Sequence, residues 1–378
     1  MKKRIVCVLL IISLVSMMFV GCSSKTESTS EDTTASVTDN TTTDTTADTA
    51  DSSDSSTDSG EEASYSAENP LVLKVANGVS TDNIRTILLQ EFCDKLQEET
   101  EGRVTYELFP NGEIGSGEEQ VEMVRTNTIQ MTDVIVTLKD YQPEMYVFGL
   151  PYLFHSFDDA YDYLMNSDLA KQMWANLEEE NNLKMTAIYL IDTRALTTED
   201  VIVTCPDDLK GVKIRSMTSQ VSQDTIEALG ATPVPMSYSE LYTALQTGVV
   251  EGQDNGMNNV YTTKFYEVQK YFYKTGHGYT IQVTYVNPEF YYSMTEEDQA
   301  IFDRLVQEVI LDEYNEQLVT QVAETEAFLK EQGMIIVEQD EMDMQAFYDS
   351  ADEMIQEKYM SDETYARVIN DIKEYCGY

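Results

Sequence analysis

The sequence predicts an α/β protein divided into two lobes, with one long helix that spans both. The chain has 378 residues, 42% of them hydrophobic, which is enough to bury a sizeable core in each of two lobes. A strand-helix-strand pattern at residues 71–109 is typical of a parallel sheet. Residues 295–333 have a helical pattern without proline that is too long for an ordinary globular helix.

The N-terminus has the pattern of a bacterial lipoprotein signal. Basic residues 2–4 precede an apolar run at 5–20, and Gly21 precedes Cys22. We expect residues 1–21 to be a signal peptide that is removed and Cys22 to carry a lipid. An uncleaved membrane anchor is the alternative, and both place the protein outside the cytoplasm.

The next segment, residues 22–68, is predicted to be a disordered tether. It consists almost entirely of Ser, Thr, Asp, Glu and Ala, and so has too little apolar surface to offset its ordering entropy. An acidic interaction tail is the alternative. The folded body is expected to begin at Pro70.

The first half of the body is predicted to alternate between strands and helices. We predict a strand at 71–77, a helix at 81–100, strands at 103–109 and 131–138, and a strand at 185–198 that is interrupted at Asp192, Thr193 and Arg194. Ser116 with Glu119, and Ser156 with Asp159, indicate the starts of two further helices.

Polar side chains follow the strands of the second half. Arg215 ends a short apolar strand, and Asn255 lies just beyond GVVEGQDNG, read as a strand or extended loop, with helices predicted at 221–230 and 237–248. Polar residues at strand ends of an open sheet commonly line the ligand crevice, which also favours Arg194. Because an arginine fork matches both oxygens of a carboxylate, the pattern predicts a carboxylate site. The alternatives are a structural ion pair for Arg215 and an ordinary surface arginine for Arg194.

Composition excludes several other functions. A net charge of -44 argues against a nucleic-acid partner. The two histidines lack metal-ligand spacing, the glycines near residue 115 match no phosphate loop, and no GxSxG motif is present. We therefore expect no metal and no cofactor. Cys93, Cys205 and Cys376 form no CxxC pair; we interpret them as small hydrophobic residues and leave a disulfide open.

Several motifs together resemble one family. DLKGVKIR, GATPVPMSYSELYTALQTGVVEGQDN and KFYEVQKY, with FPNGEIG at 109–115 and LPYLF at 150–154, resemble the DctP-type solute-binding subunits of tripartite ATP-independent periplasmic (TRAP) transporters. The resemblance extends from about Pro70 to the C-terminus. It implies a two-lobed periplasmic-binding-protein-like fold, a carboxylate ligand, TRAP membrane subunits as partners, and no enzymatic activity.

The resemblance also implies roles for individual residues. It implies that Arg215 clamps the ligand carboxylate, that Asn255 contacts the same group, and that Arg194 and Tyr238 contribute to the site. Thr218, in the segment after the Arg215 strand, is a further candidate ligand contact. The chain departs from the family pattern at Ser216-Met217, where the family has Val-Pro, and at Gly256, where it has proline.

The lobes are expected to be discontinuous in sequence. Residues 69–191 with 282–320 are predicted to form lobe I, and residues 192–281 with 321–378 lobe II, with helix 295–333 crossing both. The crossings are expected near Asp192 and Gln282. Closure of the two lobes around the ligand would follow from its higher affinity for the closed form.

We interpret the chain as an extracytoplasmic solute-binding lipoprotein on the outer face of the cytoplasmic membrane. A sugar acid such as a uronate is favoured, because Tyr238, Tyr261 and Tyr285 could contact a hydroxylated ligand, and a C4-dicarboxylate comes next. The alternatives are a secreted carbohydrate-active enzyme that uses an acidic pair, and a ligand-sensing surface lipoprotein.

Overall fold

The computed structural model describes residues 64–136 and 138–378. The predicted signal peptide, Cys22 and nearly all of the predicted tether lie outside the described residues. The strands are β1 (Leu71–Asn77), β2 (Val104–Phe109), β3 (Met131–Ile135), β4 (Lys184–Thr193), β5 (Leu196–Thr198), β6 (Lys213–Ser216), β7 (Thr232–Pro235), β8 (Gly252–Asp254), β9 (Tyr271–Tyr273), β10 (Tyr279–Val286) and β11 (Ile335–Val337).

The α-helices are α1 (Ile84–Glu99), α2 (Gly117–Arg125), α3 (Phe157–Asn166), α4 (Asp168–Asn181), α5 (Gln220–Ala228), α6 (Leu241–Gln246), α7 (Met257–Thr262), α8 (Pro288–Ser293), α9 (Glu296–Leu305), α10 (Tyr314–Glu331), α11 (Met344–Lys358) and α12 (Glu363–Cys376). Short 3₁₀ helices lie at Pro143–Gly149, Pro206–Leu209, Tyr238–Glu240, Phe265–Glu267 and Gln339–Glu341.

The strands form two mixed sheets. The first has the order β2-β1-β3-β10-β4, with β1 parallel to β2 and β3, and with β10 antiparallel to β3 and β4. The second has the order β11-β9-β5-β8-β6-β7, in which only β5 runs antiparallel to its neighbours. Helices pack on the sheets, so the predicted α/β class is confirmed.

Local sequence explains where several helices begin. α1 starts later than predicted because the Asn83 side chain accepts the Arg85 N–H at 3.0 Å and caps the helix there. The capping box of Ser116 and Glu119 is confirmed, with the Ser116 N–H donating to the Glu119 carboxylate at 2.7 Å. Such caps fix the orientation of each helix over the sheet that precedes it.

The long helix is continuous from Glu296 to Glu331 and contains a π-helical stretch at Val306–Glu313. Its first half packs on α1 and the first sheet through buried residues such as Phe302 and Val309. Its second half packs on α7, and Leu329 lies in a core cluster of the second sheet. One helix therefore contacts both sheet layers.

The chain passes between the sheets at the β4–β5 and β9–β10 connections, residues 193–196 and 273–279. Gln282 lies inside β10, so the second crossing comes before the position that we expected. α12 also differs from the expectation that residues 321–378 lie in lobe II, because its buried Val368 and Ile369 pack with α3 and the first sheet. The exact lobe boundaries stay a prediction.

Ordered structure begins before Pro70. Tyr65, inside the predicted tether, is buried, and its hydroxyl donates to Asp298 and accepts the Thr295 N–H at 3.0 Å. Composition alone missed this residue because the segment around it is polar. Cys93, Cys205 and Cys376 are free thiols. Among the described helices, none has the length and apolar character needed to cross a bilayer.

Candidate functional site

Arg215 and Asn255 lie on neighbouring strands of the second sheet. β6 and β8 are parallel, and Arg215 is in register with Gln253, two residues before Asn255. The carboxyl ends of both strands therefore meet at one edge of the sheet, which is where ligands bind in open α/β sheets. Both side chains are buried, Arg215 with 4% of its surface exposed.

Arg215 carries a positive charge without an ionic partner among the described residues. Its Nε and Nη2 donate to the Met236 carbonyl at 3.2 and 3.0 Å, and no described carboxylate pairs with it. Burial, with help from the charge of Arg194, lowers the pKa of Arg215 to about 10, so the group stays cationic at neutral pH. A buried charge of this kind is costly unless a ligand neutralises it.

Asn255 is held by its neighbours. Its side-chain amide donates to Gln253 Oε1 at 2.6 Å, and its backbone N–H donates to the Ala195 carbonyl at 3.1 Å. Gln253 in turn donates to Thr197 Oγ1 at 2.9 Å. The amide is thus fixed by a buried hydrogen-bond chain, close to Arg215.

Arg194 has a different environment from the one that the sequence predicted. Its Nε and Nη2 bind both carboxylate oxygens of Asp254, at 2.9 and 2.8 Å, and Nη1 donates to Thr280 Oγ1 at 3.2 Å. His277 Nε2 lies 3.0 Å from the same carboxylate. Burial opposes ionisation of Asp254, but the charge of Arg194 and the contact with His277 hold its pKa below the usual range. Arg194 therefore orients Asp254, the residue before Asn255.

Tyr238 and Thr218, two of the predicted ligand contacts, have different surroundings. The Arg215 guanidinium carbon lies 5.9 Å from the centroid of the Tyr238 ring, which is 39% exposed. Thr218 lies exposed in the turn between β6 and α5, where its carbonyl accepts a hydrogen bond from the Gln223 side chain at 3.1 Å. Ser216, which the prediction did not include, has a buried hydroxyl without a hydrogen-bond partner in the described part of the chain.

Tyr261 and Tyr285, the other two tyrosines suggested by the sequence, lie in different places. Tyr261 lines a cavity of about 400 Å³ between the start of α1 and α7. Tyr285 is fully buried in the core cluster that contains Val283 and α3, which places it away from α1. Its proposed contact with a ligand is therefore wrong, because β10 alternates and directs this ring to the other face of the first sheet.

The structure adds a group of residues that sequence reasoning missed. We call it the first-sheet polar cluster: Arg85, Asp133, Gln282, Thr284 and Tyr314. Arg85 lies in the first turn of α1, and its Nε is 3.6 Å from Asp133 Oδ2 on β3. The signal that could have found it is a single Asp within the apolar strand MTDVIV.

Arg85 of this cluster and Arg215 both influence the pKa of Tyr238. Burial raises the pKa of Tyr238, and the charges of Arg215 and Arg85 both oppose that rise. Arg85 comes from the first sheet's side and Arg215 from the second.

Comparison with known proteins identifies the family. The sequence profile of DctP, bacterial extracellular solute-binding protein, family 7, matches residues 75–362. The chain belongs to this family. It is a DctP-type solute-binding protein of TRAP transporters and not an enzyme.

Individual relatives agree with the family assignment. The chain is 30% identical over 256 residues to the C4-dicarboxylate-binding protein DctB of Bacillus subtilis, covering 68% of this chain and 72% of that one. A TRAP periplasmic solute-binding protein of Roseobacter denitrificans with bound 3-deoxy-D-manno-oct-2-ulosonic acid has a TM-score of 0.73 and 26% identity, with 81% of this chain and 99% of that one covered. A second protein of that organism, with bound L-galactonate, has a TM-score of 0.70 and 26% identity. The comparison covers 80% of this chain and 98% of that one.

The DctP family assignment confirms the predicted two-lobed fold. Its solved relatives are periplasmic proteins, which agrees with the predicted location outside the cytoplasm. Within the described residues, no group of His, Cys, Asp and Glu side chains could hold a metal ion.

Proposed function

We propose that the protein is a lipid-anchored extracytoplasmic receptor that captures a sugar acid, such as a uronate, and delivers it to a TRAP permease. The buried Arg215 carries this proposal, because it is cationic and lacks an ionic partner in the described part of the chain. A ligand carboxylate would supply that partner and accept two charge-assisted hydrogen bonds from the guanidinium.

Asn255, Tyr238 and Ser216 complete the carboxylate end of the proposed site. Asn255 lies beside Arg215 through the β6–β8 register, and Tyr238 lies over the guanidinium. Arg194 serves in the proposal as a positioning residue through Asp254. The relatives with bound sugar acids support this ligand class, and the C4-dicarboxylate-binding relative keeps dicarboxylates as the second candidate.

Movement of the lobes is part of the proposal. We assign residues 69–193 with 279–320 to lobe I and residues 194–278 with 321–378 to lobe II, apart from α12. Arg215 lies on β6 of the second sheet and Arg85 lies on α1, which packs on the first sheet. A ligand that contacts both sides would therefore favour a closed arrangement by its differential affinity. The connections at 193–196 and 273–279 are the hinge candidates.

The carboxylate clamp is tested with Arg215→Ala in the full chain. A thermal-shift screen of carboxylates first identifies a ligand for the unmodified protein, and titration calorimetry then gives both dissociation constants. We expect Arg215→Ala to weaken binding at least a hundredfold, since each charge-assisted bond is worth about 1.5–3 kcal/mol. The unliganded melting temperature should not fall, because the variant removes an unpaired buried charge.

Arg103→Ala is the matched control. Arg103 pairs with the buried Asp298 at 2.6 Å, so its removal should lower the melting temperature and leave ligand affinity unchanged. An unaltered dissociation constant in Arg215→Ala would contradict the proposed binding of the ligand carboxylate by Arg215.

The proposed lipid anchor and the proposed delivery to the transporter are tested in cells. Cys22→Ser should release the protein from the membrane fraction and abolish its labelling by a radioactive fatty acid. Deleting the gene should abolish uptake of the identified acid. Uptake that continues without the protein would contradict the delivery role.

A further inference from the structure

The first-sheet polar cluster contains hydrogen-bonding capacity that the described protein does not use. Asp133 is 2% exposed, and neither of its carboxylate oxygens has a described donor at hydrogen-bond geometry. Burial raises the pKa of Asp133, whereas the charge of Arg85 and the nearby side chains of Tyr189 and Gln282 favour its ionised form. Gln282 Oε1, Thr284 Oγ1 and the Tyr314 hydroxyl are also buried without a partner in the described chain. Buried polar atoms nearly always have a hydrogen-bond partner. Several such atoms without one in the same place therefore indicate a site for a polar ligand.

The strands and helices bring these atoms together. Thr284 is in register with Asp133 on β10, and Gln282 lies on the same face two residues earlier. Tyr314 follows the π-helical stretch, and its ring packs 4.7 Å from Tyr189, a close neighbour of Asp133. The cluster therefore lies between the sheet, α1 and the long helix.

The charge of the cluster is balanced, unlike that of Arg215. Arg85 Nε lies 3.6 Å from Asp133 Oδ2, which is close enough for an ion pair but too long for a hydrogen bond. The positive charge of Arg85 is thus compensated, while the donors of Arg85 and the acceptors of Asp133 stay available. A hydroxyl group can accept from the first and donate to the second.

A cavity lies beside the first turn of α1, the turn that carries Arg85. The cavity of about 400 Å³ is lined by Asn83 and Ile84, the residues before Arg85, and by Asn258 across from them on α7. Asn258 Oδ1 is itself buried without a partner among the described residues. Asn258 lies at the start of α7, three residues after Asn255 of the proposed carboxylate clamp.

We propose that Arg85 and Asp133 form a distal subsite that binds neutral hydroxyl groups of the ligand and excludes a second carboxylate. This inference rests on the proposed function and deepens it. One unpaired arginine neutralises one carboxylate. A second carboxylate at the far end would meet Asp133, whose negative charge repels it, and would have to compete with Asp133 for Arg85. The ligand class is then a polyhydroxylated monocarboxylate.

The test uses pairs of acids that differ only at the far end. L-Galactonate with galactarate, D-gluconate with D-glucarate, and D-erythronate with meso-tartrate each compare a terminal CH₂OH with a carboxylate on the same carbon chain. Calorimetry on the full chain should show at least a tenfold preference for the monocarboxylate in each pair that binds. An equal or reversed preference would overturn the proposal, and this result needs no variant.

Asp133→Asn tests the residue itself. The amide keeps the shape but removes the negative charge, so Arg85 becomes free to bind a second carboxylate. The ratio of the two dissociation constants should move toward the dicarboxylate by at least tenfold. Asp224→Asn is the control, because Asp224 is also buried but pairs with Lys358 on α11 at 2.6 Å. Its ratio should match that of the unmodified protein. An unchanged ratio in Asp133→Asn would overturn the assignment.

Failure of this inference and failure of the proposed function give different results. If acids bind, and Arg215→Ala abolishes their binding, but the preference is absent, only the distal subsite is wrong. If neither these six acids nor the uronates D-galacturonate and D-glucuronate bind to the unmodified protein, both the distal subsite and the sugar-acid proposal are overturned.

Discussion

A β-carbon on Gly256 would lie 1.9 Å from the carboxyl carbon of Asp192. The Asp192 carboxylate occupies this space because it accepts the Asn258 N–H at 2.7 Å, at the start of α7. Gly256 has φ -78°, which a proline could adopt, so the departure from the family's proline is explained by space and not by backbone conformation. The position of the Asp192 carboxylate therefore requires a residue without a side chain at position 256.

Gly256→Ala should destabilise the protein by about 1–3 kcal/mol, because the added methyl group must displace Asp192 from α7. Urea denaturation at neutral pH measures the change. Gly78→Ala is the control, since nothing lies within 4 Å of a β-carbon there. In a double-mutant cycle, Asp192→Ser should relieve most of the Gly256→Ala cost; strictly additive losses would contradict the steric explanation.

Asp192 should also make stability depend on pH. Burial raises the pKa of Asp192 to about 6, although backbone N–H groups of α7 oppose the rise. The folded state then binds the proton more tightly than the unfolded state, whose carboxyl titrates near the ordinary value of 3.8. Stability from this group is therefore complete below about pH 4 and is lost as the pH rises through about 6.

Asp192→Asn isolates that contribution, because the amide oxygen can still accept from α7. The free energy of unfolding of the variant relative to the unmodified protein should increase between pH 4 and pH 7 by up to about 3 kcal/mol. Denaturation curves at several pH values across this range give the difference. A difference that stays constant with pH would contradict the raised pKa.

Residues near strand ends could be predicted from the sequence, whereas residues paired across the fold could not. Arg215 and Asn255 follow short apolar strands, and local pattern placed both at one sheet edge. The pairing of Arg194 with Asp254 spans sixty residues and depends on the register of β5 with β8, which no local period encodes. Arg85 likewise meets Asp133 only through the packing of α1 on the first sheet.

Tyr65 shows the same limit at the N-terminus. Composition favours disorder throughout residues 22–68, but a single aromatic side chain can bury itself against a distant helix start. Tyr65→Phe should cost about 1–2 kcal/mol, since it removes the hydroxyl shared by Asp298 and Thr295. Tyr375→Phe, at an exposed tyrosine that bonds Asp162, should change stability by less than about 0.5 kcal/mol. Equal effects in urea denaturation would mean that Tyr65 contributes no more than a surface residue.

The final prediction separates positioning from ligand contact at Arg194. Arg194→Ala leaves the buried Asp254 carboxylate with His277 as its one remaining side-chain partner in the described structure, so we expect a loss of about 3–5 kcal/mol in unfolding free energy. In a double-mutant cycle, Asp254→Ala should abolish most of that loss, because the two side chains form one ion pair. Ligand affinity of the still-folded Arg194→Lys variant should fall far less than that of Arg215→Ala. If Arg194→Lys reduces affinity as strongly as Arg215→Ala with little loss of stability, Arg194 contacts the ligand directly.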